Sequence, residues 1–175
     1  MSALSEYVIP YMGLTNGTYE YFFELDNSFF KNFEKSEVHK GNFDISITFE
    51  KQDRMVVLMI QGKGYTKADC DRCLSEIEIP VIFDDRVILK LEDTPTVQED
   101  EVYYLDAQTS HIDLSPYIHE SIHLYLPMKK IRDCESEDYK YCDQEVLKNL
   151  DHNAEEQNKS QGDNPWDALR QLNLE

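Results

Sequence analysis

Apolar and polar side chains alternate with a period of two along much of the first half of the chain. Tyr19, Tyr21, Phe23 and Leu25 fall on one side of such a repeat, with Glu20 and Glu24 opposite, which predicts a strand. In "DNSFFKNF", Asp26 or Asn27 can cap a short helix whose Phe29, Phe30 and Phe33 form one apolar side. That clustering reads as core packing rather than ligand stacking. Phe43, Ile45, Ile47 and Phe49 then alternate with Asp44, Ser46 and Thr48, and a polar turn leads into the dense apolar run Met55 to Ile60. An antiparallel hairpin is the simplest account. Gly62 and Gly64 follow; they allow a bulge or an unusual dihedral, but without a strand, loop and helix around them they do not make a nucleotide site.

Ile77, Ile79, Val81 and Phe83 alternate again, and the turn-like Asp84 and Asp85 before Val87 to Leu91 predict a second hairpin. From Glu92 to Asp106 six residues are acidic and none basic, which predicts an exposed excursion with a short strand at Val102 to Leu105. Ser115 and Pro116 mark a helix start, with serine as the cap and proline at the first helical position. Ile118, Ile122 and Leu126 recur every fourth residue, Tyr117, Ser121, Leu124 and Tyr125 widen the packing surface, and Pro127 stops the run. At the carboxyl end Asn164 can cap a helix beginning at Pro165, with Trp166, Leu169 and Leu172 on one face.

These elements predict an α+β fold: a mixed or mainly antiparallel sheet, able to curl, with one packing helix and a C-terminal helix. Residues 1–132 form the main domain, 133–163 an acidic flexible linker and 164–175 the terminal helical segment.

The 175 residues suffice for one core of ordinary size. Charge then narrows the partners. With 35 acidic against 17 basic side chains, the formal charge is -18, which repels polyanions over most of the surface. Broad binding of DNA, RNA or anionic membrane is thereby disfavoured, and a basic patch has only Lys129, Lys130 and Arg132, or Lys63, Lys67 and Arg72, to draw on. No charged amino end leads into a long apolar run, and no stretch approaches the ~18 apolar residues of a membrane span. The expectation is a cytoplasmic protein whose four cysteines are reduced thiols or metal ligands rather than a disulfide framework.

Cys70 and Cys73 have the spacing of half a tetrahedral zinc site, and Cys134 with Cys142 are the remaining thiols. The later pair is too widely separated to be diagnostic, so zinc, a structural role and individually exposed thiols stay open. Dithiol exchange needs a tuned thiolate, and Asp69 and Asp71 beside Cys70, with Arg72 the single compensating charge, argue against it. His119 and His123, four apart, can project together, but without a third ligand they read as helix-surface histidines, as does His111. No nucleophile, base and orienting acid form a pattern, and no catalytic residue is assigned.

Three separated segments, "CDRCL" at 70–74, "IDLSPYIHESIHLYLP" at 112–127 and "NPWDALRQLNL" at 164–174, resemble the YceD-like large ribosomal RNA subunit accumulation protein family, from the early sheet to the final helix. The resemblance implies a cytoplasmic, nonenzymatic factor in synthesis, processing or stability of large-subunit ribosomal RNA. Its partner would be a ribosomal protein or a large-subunit assembly intermediate, with direct RNA contact left open and neither DNA nor membrane involved. The family pattern falls on Cys70, Arg72, Cys73 and Leu74, on Asp113, Leu114, Glu120, Leu124 and Pro127, and on Trp166, Leu169 and Leu172. Arg72, Leu74, Asp113, Glu120, Trp166, Leu169 and Leu172 are the candidate interaction residues. Many relatives carry closely spaced later cysteines where this chain has "CESEDYKYC", so zinc on Cys70, Cys73, Cys134 and Cys142 is less firmly implied than the family itself. The alternative is a zinc-stabilised protein-interaction module unrelated to ribosomes.

Overall fold

The structure, a computed structural model, describes residues 4–34, 36–92, 102–132 and 140–150. The chain divides into two units, Met1–Ala68 with Glu78–Lys129, and Asp69–Ile77 with Lys130–Glu175.

The first unit is built on a five-stranded sheet. Its strands are β2 (Gly17–Leu25), β3 (Gly41–Lys51), β4 (Met55–Asp69), β5 (Glu76–Glu92) and β6 (Val102–Asp106), in that spatial order. A two-stranded ribbon pairs β1 (Val8–Ile9) with β7 (Ile112–Asp113), and the α-helices among the described residues of the unit are α1 (Asn27–Phe30) and α2 (Ser115–Leu124). β2, β3 and β4 are successively antiparallel. Contacts run in opposite order along the two strands, from Arg54, just before β4, with Leu91, through Gln61 with Asp84, to Lys67 with Glu78, so β4 and β5 are antiparallel too. β6 joins β5 in parallel, with Ile88 opposite Val102. The sheet is therefore mixed and mostly antiparallel, as the alternation predicts.

One face of the sheet carries the core. Ile47, Phe49, Leu58, Ile60 and Leu89 are almost fully buried, and Phe30 of α1 with Ile118 and Ile122 of α2 bury as completely. Each such side chain contributes roughly 1.5–3 kcal/mol. Asp26 caps α1 by accepting from the Ser28 amide, and Phe29 and Phe30 meet edge to face with centroids 5.3 Å apart. Lys51, at the end of β3, is buried: its Nζ donates to the Tyr11 and Leu14 carbonyls at 2.9 and 2.7 Å and lies 4.0 Å above the Tyr11 ring.

Four expectations change. The hairpin placed at Asp84 and Asp85 is one continuous strand, β5. Asp84 points outward and accepts from Gln61, while Asp85 accepts from Ser121 Oγ of α2 at 2.6 Å, so tertiary partners satisfy the carboxylates that would otherwise favour a turn. Gly62 and Gly64 serve close packing rather than a bulge or a positive φ: a Cβ on Gly62 would lie 2.2 Å from the Phe83 ring, and one on Gly64 2.0 Å from the Asn42 carbonyl oxygen. Ser115 is not the cap of α2; Leu114 occupies that position, and the Ser115 amide and hydroxyl both donate to Asp113 Oδ1. Nor does α2 continue to Pro127: it ends at Leu124, which is exposed, so the apolar spacing overestimates its length.

Candidate functional site

The two longest strands, β4 and β5, are joined by the Cys70–Ser75 loop. Its backbone closes on itself, the Cys70 amide donating to the Ser75 carbonyl and the Leu74 amide to the Cys70 carbonyl, both at 2.9 Å. Asp71 and Lys130 exchange a second pair of bonds: the Asp71 amide donates to the Lys130 carbonyl at 2.8 Å, and the Lys130 amide to Asp71 Oδ2 at 2.7 Å. This turn directs Cys70 and Cys73 inward, both without solvent exposure, and leaves Arg72 and Leu74 exposed. Leu74 holds φ at 59°, the left-handed region in which a Cβ costs about 1–2 kcal/mol. A bulky residue thus occupies a position that glycine fills more cheaply.

The loop tunes one thiol. Burial acts to raise the Cys73 pKa, but hydrogen bonds to its sulfur from the Ser75 hydroxyl and amide, the Asp143 amide and Cys70 outweigh it and bring the value down to about 6. Ser75 Oγ is 2.9 Å from the sulfur. These bonds favour the thiolate, the form that binds metals and attacks disulfides. Sequence reasoning discounted such activation because of Asp69 and Asp71. It missed Ser75, a donor two residues downstream that was legible as a signal.

Cys142 is buried and belongs to the same unit, just before a helix over residues 144–150. Among the described residues no group of three or more His, Cys, Asp and Glu side chains is placed to hold a metal ion. Cys134 lies outside the described residues, so the described donors do not by themselves make up a zinc set.

The other candidates sit in the first unit. Asp113 holds the start of α2 through Ser115, and Glu120 on the exposed side of that helix accepts a hydrogen bond from the Tyr103 hydroxyl. Burial first, and the Glu120 carboxylate second, raise the Tyr103 pKa well above its usual value. Structural contacts therefore account for both carboxylates. Trp166, Leu169 and Leu172, with the C-terminal helix expected to carry them, lie outside the described residues.

His119 departs from a surface histidine. It is half-buried and stacks on Phe33 at 3.9 Å, its Nε2 is buried without a hydrogen-bond partner, and burial, with the nearby His123, lowers its pKa to about 4. His123 is anchored on both ring nitrogens, to the His119 carbonyl at 2.7 Å and Ser36 Oγ at 3.0 Å. The pair packs helix to loop.

A mostly antiparallel sheet with a packing helix defines an α+β fold, and the loop between its longest strands carries the two buried thiols. Residues 58–173 match the family described as "YceD: Large ribosomal RNA subunit accumulation protein YceD", and the chain belongs to that family. The match begins within β4 and takes in both the thiol turn and α2. No curated protein and no solved structure matched the chain. No described helix is long and apolar enough to cross a membrane.

Proposed function

We propose that the protein is a nonenzymatic cytoplasmic factor in the synthesis, processing or stability of large-subunit ribosomal RNA, and that it works through contacts with a ribosomal protein or a large-subunit assembly intermediate. The family match over residues 58–173 carries this reading. The charge of -18 selects the kind of contact, because affinity for bare RNA draws on cationic groups and counterion release, which this chain has few means to supply. A basic protein is attracted by the same charge. On this reading 1–132 is the main domain, 133–163 an acidic linker and 164–175 a contact segment, with Trp166, Leu169 and Leu172 adding apolar area. Arg72, Leu74, Asp113 and Glu120 present side chains from the thiol turn and from the start and exposed side of α2.

Depletion of the protein, with large-subunit and small-subunit RNA measured separately, tests the proposal together with gentle low-salt recovery of crosslinked complexes. A selective fall in large-subunit RNA and recovery of its assembly particles are expected. Unchanged RNA levels with no ribosomal component recovered would defeat it.

The placing of Cys70 and Cys73 together, both buried, in one tight turn favours a second reading, a zinc-stabilised interaction module unrelated to ribosomes. It requires stoichiometric zinc in the purified chain and partner binding lost on chelation, with no change in large-subunit RNA.

A further inference from the structure

The sheet face opposite the core exposes the large apolar side chains Phe22 at 72% and Ile82 at 70%, with Met59 on β4 less exposed at 36%. Register places Phe22 and Ile82 in a pattern. Phe22 on β2 lies opposite Ser46 on β3, Ser46 opposite Gln61 on β4, and Gln61 bonds Asp84 on β5. The adjacent row runs from Glu24 through Asp44 to Lys63, which the antiparallel order of β4 and β5 brings to Ile82. Apolar groups thus stand at two diagonal corners and acidic groups at the other two, with Asp44 and its cross-strand neighbour Lys63 between them. A hollow of about 580 Å³ bordered by Asp44, Ser46, Ile82 and Tyr125 occupies one side. A second, of about 520 Å³, shares Asp44 and Ser46 and is bordered by Phe22 and Glu24.

We propose that this face docks an extended, basic protein segment of the form apolar-x-basic-x-apolar. The inference rests on the protein-contact reading above and names its surface and its partner's chemistry. Three strand spacings of ~4.8 Å and an offset of one row put Phe22 and Ile82 roughly 16 Å apart. Four residue steps of extended chain at ~3.3 Å each span roughly 13 Å, within side-chain reach of that diagonal. Because alternate residues of an extended chain share a face, apolar groups at the first and fifth positions meet Phe22 and Ile82 while a lysine or arginine at the third meets Asp44. Glu24 and Asp84 favour further basic residues flanking the segment. In these two rows Lys63 is the single basic side chain against Glu24, Asp44 and Asp84, so charge selects a cationic peptide over a nucleic acid.

The probe is the peptide Lys-Leu-Thr-Lys-Thr-Leu-Lys, titrated into the isotope-labelled full chain while backbone amide shifts are followed. Saturable shifts at Phe22, Asp44, Ser46 and Ile82 are expected. A variant with Phe22→Ser and Ile82→Ser together should bind ~10-fold more weakly or worse, since exposed anchors carry most of an interface's affinity. Both side chains are largely exposed, so its urea midpoint should match that of the parent. Shifts confined to other surfaces, equal affinity of the double variant, or displacement of the peptide by a ten-residue uridine oligomer acting on the same amides would overturn the proposal. In cells depleted of the protein, the parent chain should restore large-subunit RNA and the double variant should not. Restoration by both would remove this surface alone, whereas failure of the parent chain would remove the ribosomal reading itself.

Discussion

Acid should weaken this fold through one identifiable side chain, His119. The imidazole is held neutral between Phe33 and His123, and its folded pKa is about 4 against an ordinary value of 6.5. A base whose folded pKa is depressed binds fewer protons in the folded state than in the unfolded state between those two values. Stability is then complete above pH 6.5 and falls as the pH drops toward 4. At pH 5 the two values set an upper bound of about 2 kcal/mol on the loss, which solvent screening of a half-exposed ring reduces to about 1 kcal/mol, and at pH 7.5 the loss is essentially none. The ordinary carboxylates contribute an acid dependence of their own, so the measurement is a difference. His119→Phe keeps a ring against Phe33 and removes both the titration and the unpartnered buried Nε2. Urea unfolding of parent and variant at pH 7.5 and 5 should show the variant gaining about 1 kcal/mol relative to the parent on acidification. Parallel loss of stability in the two proteins would refute the assignment of a neutral, desolvated His119.

Other perturbations test separate parts of the fold. Gly64→Ala drives a methyl group against the Asn42 carbonyl and the Phe43 Cα, backbone atoms that cannot rotate away, and should cost about 3 kcal/mol in urea unfolding. Lys51→Met leaves the Tyr11 and Leu14 carbonyls without their charged donor and should cost about 3 kcal/mol by the same assay, even though methionine fills the volume. At the thiol turn, the thiolate absorbance should titrate with a midpoint near pH 6 that disappears in Cys73→Ser and moves upward in Ser75→Ala. Because the thiol's folded pKa is depressed, that stabilisation is full above the unfolded value and declines as pH falls through about 6, so Cys73→Ser should flatten the rise in stability across that window.

The strands that alternate cleanly are legible because water wets one face while the core takes the other, so β2 and β3 appear in the sequence with their correct inward sets. At β5 local chemistry favours a turn, although the phase of the apolar residues argues against one. A two-residue turn at Asp84 and Asp85 would shift the inward set to even numbers beyond it, yet Val87, Leu89 and Leu91 stay in phase with Ile77 through Phe83 and are buried. Aspartate favours turns in an isolated chain. Here Ser121 and Gln61, from another helix and strand, satisfy it as part of a ladder. The site divides in the same way: the spacing of Cys70 and Cys73 is local and legible, whereas the low Cys73 pKa depends partly on the Asp143 amide, a partner no spacing reveals.

Leu74 joins the legible half of the site to the proposed function. Its sequence neighbours mark a thiol turn, and its φ of 59° makes glycine the cheaper residue there, yet a leucine stands 63% exposed on the outside of the loop. Neither the core nor the turn gains from that side chain. On the proposed reading its value lies in contact with a partner, and the strain of roughly 1–2 kcal/mol is the cost of displaying it. Folding and binding then pull in opposite directions at this residue. A protein that needed only a stable turn would have no use for leucine, whereas one that must present an apolar group beside Arg72, on a loop held in shape by Cys70, Ser75 and Lys130, has a physical reason to keep it.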